Sequence, residues 1–181
     1  MQTNTRNLTM LFFTILIVMM GFGIILPILP FLIEQFGASG KAMGLLMASY
    51  AAAQFIFSPI WGKISDRFGR KPILVIGIFG FGMAMLFFGL ATELWMLFAA
   101  RILAGVLSSA TMPTAMAYIG DSTSTEDRGK GMGILGAAMG LGMVIGPGLG
   151  GWLSSDSYSL PFFISAGISM LTVVLLIMFL P

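Results

Sequence analysis

Cysteine and histidine are both missing from the 181 residues. Disulfides and thiolate metal sites are thereby excluded, and zinc chemistry and histidine-based catalytic triads lose their usual groups. Charge is nearly as scarce. Only 9% of the residues are Asp, Glu, Lys or Arg, where a soluble domain carries about 25%. So few charges cannot cover a water-facing surface. With 57% hydrophobic residues and a mean hydropathy of +1.00, the chain reads as an integral membrane protein. Its apolar stretches are continuous rather than alternating, which selects helices over a β-barrel. No paired acids occur inside an apolar stretch, so an enzyme is not expected. Neither is a metal, a cofactor or a nucleic-acid partner.

Charges and turn formers divide the chain into six segments of spanning length. They are Leu8–Ile33, Lys41–Trp61, Ile73–Thr92, Leu94–Ile119, Gly131–Leu153 and Leu160–Leu180, forming one six-helix domain over residues 1–181. The first is far longer than the roughly 7–15 residue core of a signal peptide, and no small-residue cleavage site follows it. It reads as a retained span. "GKISDRFGRKP" (Gly62–Pro72) and "GDSTSTEDRGK" (Gly120–Lys130) are basic connectors; the other three are short and nearly free of basic residues. One side thus collects Arg6, Lys63, Arg67, Arg70, Lys71, Arg128 and Lys130, and the other only Lys41. Short loops rich in Lys and Arg mark the cytoplasmic side, so both termini are expected there. Spans two and five end in related strings, "SPIWGKISD" (Ser58–Asp66) and "GPGLGGWLSSD" (Gly146–Asp156). This echo suggests a 3+3 inverted repeat. Spans three and six, mainly apolar and small, are expected to face lipid.

The first basic connector has the pattern G-x-x-x-D-R-x-G-R-K, with Gly62 and Gly69 bracketing Asp66, Arg67, Arg70 and Lys71. Composition alone makes it a solvated, topology-setting loop with glycines at sharp turns. The pattern closely resembles the signature loop between spans two and three of the major facilitator superfamily. Three further strings resemble motifs of its drug:proton antiporter branch, in the same order along the chain. Gly21 with "PILP" (Pro27–Pro30) is similar to the first-span motif. "RILAG" (Arg101–Gly105) is similar to the intramembrane arginine motif, with Ala104 where glutamine is usual. "GMVIGPGLGG" (Gly142–Gly151) is similar to the antiporter signature. The cadence is similar to bacterial multidrug and tetracycline efflux proteins, matched over their N-terminal six-span half.

The resemblance implies a secondary transporter of the cell (plasma or inner) membrane, an N-terminal half exporting lipophilic drug-like compounds by alternating access. A proton gradient would be its energy source. Membrane lipid, a lipophilic substrate and a second six-span half are the implied partners. The second half could be a separate C-terminal half or another copy of this chain in a parallel homodimer. The alternative is a truncated or half-size bundle that does not transport without a separate C-terminal half. All seven acids fall near span ends or in connectors, which makes a proton carrier hard to assign within this chain.

The residues themselves leave several choices open. Arg101 either snorkels to the nearer interface or faces a cavity; the resemblance implies proton coupling or cavity organisation for Arg101 and Gly105. Tyr50, Gln54 and Ser58, at i, i+4 and i+8, either bond between helices or line a cavity. Met112 joins them as possible substrate lining. Asp121 is expected to pair with Arg70 or Arg67, making a cytoplasmic gate with Asp66. Gly142, Gly146 and Gly150 recur every four residues, a smooth stripe that lets a helix approach closely, and Pro147 favours a bend beside it. That stripe either packs within this bundle or, as the resemblance implies, forms part of a seam between halves together with Gly151.

Overall fold

The computed structural model describes residues 5–155 and 157–180. Its helices are α1 (Thr5–Gln35), α2 (Gly40–Phe68), α3 (Arg70–Gly89), α4 (Leu94–Leu107), α5 (Thr111–Ser122), α6 (Arg128–Leu153) and α7 (Leu160–Phe179). A 3-10 turn at Ser108–Ala110 joins α4 to α5 within one span, so six helical stretches are long and apolar enough to cross a membrane. No strand occurs among the described residues. The fold is all-α.

Within a bilayer, water exclusion holds no two helices together, so packing depends on how closely their surfaces approach. The largest contact is α1 on α6, followed by α3 on α7 and α2 on α4. Exchanging spans one, two and three for four, five and six maps these three pairs onto themselves. That is the pairing a two-fold relation between two three-span units produces, and an odd number of spans gives the units opposite senses. Asp156, the last residue of the sequence echo, lies outside the described residues.

The α1–α6 contact explains the glycines of α6. A side chain at Gly146 would run into the Met20 carbonyl oxygen. One at Gly142 would stand 2.8 Å from the Leu16 carbonyl, and one at Gly150 3.0 Å from that of Ile24. From the other side, a Cβ on Gly23 would lie 2.9 Å from Pro147 Cδ. The glycine stripe therefore packs on α1 around Gly23 and Pro27, and both faces of that seam lie in this chain. Gly148 and Gly151 meet nothing within 4 Å. α6 remains helical on both sides of Pro147.

Two expectations change. The segment 62–72 is not an open loop: α2 continues to Phe68, α3 begins at Arg70, and only Gly69 joins them, at φ 96°. Such a backbone favours glycine. Gly62 is helical with open space around it, so no sharp turn requires it. Spans three and six also differ from one another. α3 is the most enclosed span, pressed between α4, α5 and α7, whereas α7 leaves Leu171, Val174 and Ile177 exposed. The glycines of α3 explain this. Side chains at Gly77 and Gly80 would collide with Thr111 and Leu107, and one at Gly82 with Met170. The least enclosed spans are α2 and α6.

The break in span four has a local cause. Pro113 carries no N–H to donate to the Ser109 carbonyl, and the chain tightens into a 3-10 turn just before it. The Val106 carbonyl accepts bonds from the Ser109 hydroxyl at 2.9 Å and from Trp61 Nε1 at 2.5 Å.

A test compares two valines of equal helix propensity on α6. Gly146→Val should lower stability by about 1–3 kcal/mol, the usual range for overpacking, as read by thermal unfolding in detergent. Gly148→Val, in open space, should leave the midpoint unchanged.

Candidate functional site

Arg101 lies about 10 Å along its span from the start of α4, at 1.5 Å per residue. It does not snorkel: the side chain is only 1% exposed. Its guanidinium carbon sits 5.2 Å from the Tyr50 ring centroid, 5.6 Å from Phe22 and 5.8 Å from Phe88. Nη2 donates to Met47 Sδ at 3.0 Å, and Nε has no hydrogen-bond partner. An arginine at mid-membrane costs about 2.5–3.5 kcal/mol on insertion scales. Each ring face returns about 0.5–2 kcal/mol, so three faces together are of the size needed to hold the charge there. Arg101 forms no ion pair with an acid of this chain among the described residues.

Close helix contact creates this cage. A Cβ on Gly105 would stand 2.7 Å from both the Tyr50 carbonyl oxygen and Ala53 Cβ. Glycine here lets α4 touch the backbone of α2 and draws Arg101, one turn earlier, under the Tyr50 ring. Gly105 is thus a packing contact, not cavity lining. Phe22 arrives from α1, between Gly21, which abuts Phe81 of α3, and Gly23. Phe88 comes from α3.

The polar stripe of α2 divides. Tyr50 turns to Arg101 and lies beside Ser108. Gln54 and Ser58 instead line an open groove of about 840 Å³ between α2 and α5. Phe55, Pro59, Met112 and Met116 form part of its wall, and no charged side chain lines it among the described residues. Flexible thioethers facing rings and prolines suit apolar guests of varied shape. Pro27 and Pro30 lie inside α1, and a side chain at Gly150 would reach Pro27 at 3.4 Å. Pro27 thus belongs to the seam, Pro30 is exposed, and neither lines this groove.

At the basic end, Arg70 joins three helices. Its Nη1 lies 2.5 Å from Asp66 Oδ1 and donates to Ser65 Oγ at 2.6 Å, while Nε donates to Asp121 Oδ2 at 2.8 Å. Of the two partners open to Asp121, the structure selects Arg70; Arg67 instead lies over the Phe68 ring at 5.5 Å. Lys71 begins α3 beside Arg70 and makes no salt bridge among the described residues. Ser65 is 1% exposed, and its hydroxyl donates to the Gly62 carbonyl. The sequence reading missed Ser65, although it adjoins Asp66. It also missed Met47, one turn before Tyr50 on the same face, and Phe22, next to the motif glycine Gly21. Phe88 gave no signal. Neither did the hydrogen bond from Asn7 Nδ2 to the Tyr118 hydroxyl at 2.9 Å.

A six-span helical bundle with a buried arginine, an apolar groove and an ionic clasp at one end has the architecture of a membrane transporter domain. The chain belongs to the Major Facilitator Superfamily, whose pattern it matches over residues 11–181. It is 37% identical over 178 residues to multidrug resistance protein 1 of Bacillus subtilis (strain 168), covering 98% of this chain and 46% of that protein. It is 42% identical over 156 residues to the class B tetracycline resistance protein of Escherichia coli, covering 84% and 39% respectively. The human organic anion transporter MFSD10 (TETRAN) shares the fold, with a TM-score of 0.85 at 23% identity over 98% of this chain and 47% of that one. The chain thus spans less than half the length of the relatives it matches.

The Arg70 clasp predicts a measurable coupling. A double-mutant cycle of Arg70→Gln with Asp121→Asn should give up to about 1 kcal/mol, the range for partly exposed pairs, falling as salt is raised. The same cycle with Arg67→Gln should give none.

Proposed function

We propose that the chain is the N-terminal six-span half of a proton-coupled exporter of lipophilic, drug-like compounds, working by alternating access in the cell membrane. The observation that carries this reading is the uncharged groove of Gln54, Ser58, Met112 and Met116. Its α2 wall continues the helix that carries Met47 and Tyr50 to Arg101, an arginine held without a carboxylate among the described residues. The multidrug and tetracycline resistance names of the relatives support the substrate class. The basic end, with both termini, faces the cytoplasm by the excess of Lys and Arg there. Drug enters the groove; Arg101, which already carries an uncompensated charge, responds to the protonation of an acid brought near it. No acid of this chain lies at mid-membrane depth, so that acid comes from a second six-span half.

The Arg70 clasp acts as the cytoplasmic gate, tying the α2–α3 junction to the end of α5. Breaking it frees α5 to move, with the 3-10 turn as the flexible point in its span. The exposed faces of α2 and α6, with Phe55 83% and Val144 77% exposed, are where the second half seats. A separate C-terminal half fits better than a second copy of this chain, because two copies still supply no membrane acid. The non-transporting alternative stands on the same observation: alone, the chain would be a stable bundle with no flux.

The test uses liposomes containing the purified chain, with and without a C-terminal half from a related exporter, under an imposed pH gradient. Uptake of a fluorescent lipophilic drug should require both halves and should fall to background with Arg101→Ala. Arg101→Lys should also fail, because an ammonium does not stack on rings as a planar guanidinium does. Gradient-independent leak that is indifferent to Arg101 would refute the reading.

A further inference from the structure

Two grooves flank Phe13 on α1, and neither belongs to the transport site. The first, about 400 Å³, lies between α1 and the start of α6, lined by Thr5, Thr9, Phe12, Phe13, Lys130 and Ile134. Lys130 is the only charged group in its wall among the described residues. The second, about 300 Å³, lies between α1 and α7, where Phe13, Thr14 and Ile17 face Ile168, Leu171 and Leu175. Its wall contains no charged residue. Phe13, 51% exposed, is common to both and stands between them.

The order along α1 matters. Thr5, Thr9 and Lys130 are at the basic end, and Phe13 and Ile17 lie progressively deeper. From Thr5 to Ile17 the helix rises about 18 Å, roughly one leaflet of a hydrocarbon core about 30 Å thick. A cation in the groove wall at the basic end, followed inward by two apolar grooves separated by a ring, matches one molecule with an anionic head and two chains. The groove beside Lys130 carries no acid to repel such a head.

We infer that α1, α6 and α7 form a binding site for an anionic phospholipid, with the phosphate head at Lys130 and its acyl chains on either side of Phe13. The bundle packs more tightly where the site is filled, because the lipid chains bridge α1 to both neighbours. The inference needs only the family's membrane placement and holds whether or not the chain transports drug.

Native mass spectrometry of the purified chain, released from detergent with phosphatidylglycerol or phosphatidylcholine added, tests it. One phosphatidylglycerol should be retained in preference to phosphatidylcholine. Lys130→Gln should reduce that retention about fivefold, the effect of one basic residue near an anionic head group. Lys63→Gln, an exposed lysine at the same end outside the grooves, should not change it. Phe13→Ala should weaken retention of phosphatidylglycerol while helical content by circular dichroism stays constant. Equal retention of the two lipids would overturn the site. So would equal losses from the two lysine variants, which would mean diffuse charge attraction, or no effect of Phe13→Ala.

Discussion

Backbone-to-backbone contact at glycine is the constraint on which this bundle depends. Lipid gives helices no apolar reason to associate, so the approach distance decides which pairs form. α6 lays Gly142, Gly146 and Gly150 against the carbonyls of α1, and α4 lays Gly105 against the carbonyl of Tyr50 on α2. Under the exchange of the two three-span units the two helix pairs correspond, although the glycines lie on opposite members of each pair. The arginine cage follows from them: the α4–α2 contact sets Tyr50 and Met47 over Arg101, and Gly21 and Gly23 of α1 carry Phe22 between them. Packing and site are one arrangement.

Charge is distributed by the same logic. Arg101 is tolerated in an apolar interior because three ring faces and a thioether surround it, yet one nitrogen stays unpartnered. An unpartnered nitrogen of this kind is what the proposed response to a new negative charge needs. Arg70, at the basic end, is held by two carboxylates that are themselves largely exposed, 64% and 62%. Such a pair contributes little to stability, as the gate role proposed for it requires. The basic end therefore holds a weak, reversible contact, and the interior a strong, incomplete one.

Composition, span number and the positions of the motifs were legible in the sequence because they depend on hydrophobic run length and on turn residues. The partner of Asp121 was narrowed to two by charge alone; only the helical continuation of α2 through Phe68 aims Arg70 at it. The glycine stripe was legible as a close-packing face, but not what it packs against, since a period of four carries no information about the neighbour. α3 was misplaced at the periphery because its glycines, spaced through an apolar run, look like lipid-facing filler until Thr111 and Leu107 are found against them. Phe88 could not have been identified, as one phenylalanine among sixteen. The break at Ser108–Ala110 had a cause in Pro113, yet a proline inside an apolar span more often bends a helix than tightens it.

The chain's lack of cysteine allows the dependence of the arginine cage on the glycine contacts to be measured directly. Ser108→Cys places a near-isosteric thiol at a site 6% exposed, on the face of span four that meets α2. Its reaction with a charged, membrane-impermeant thiol reagent reports how often that wall opens. The account predicts slow labelling in the single variant and labelling faster by about tenfold once Gly105→Val wedges α4 from α2, an overpacking of one to a few kcal/mol. Equal labelling rates with and without the valine would contradict it, and would mean that something other than the glycine contact holds Arg101 in place.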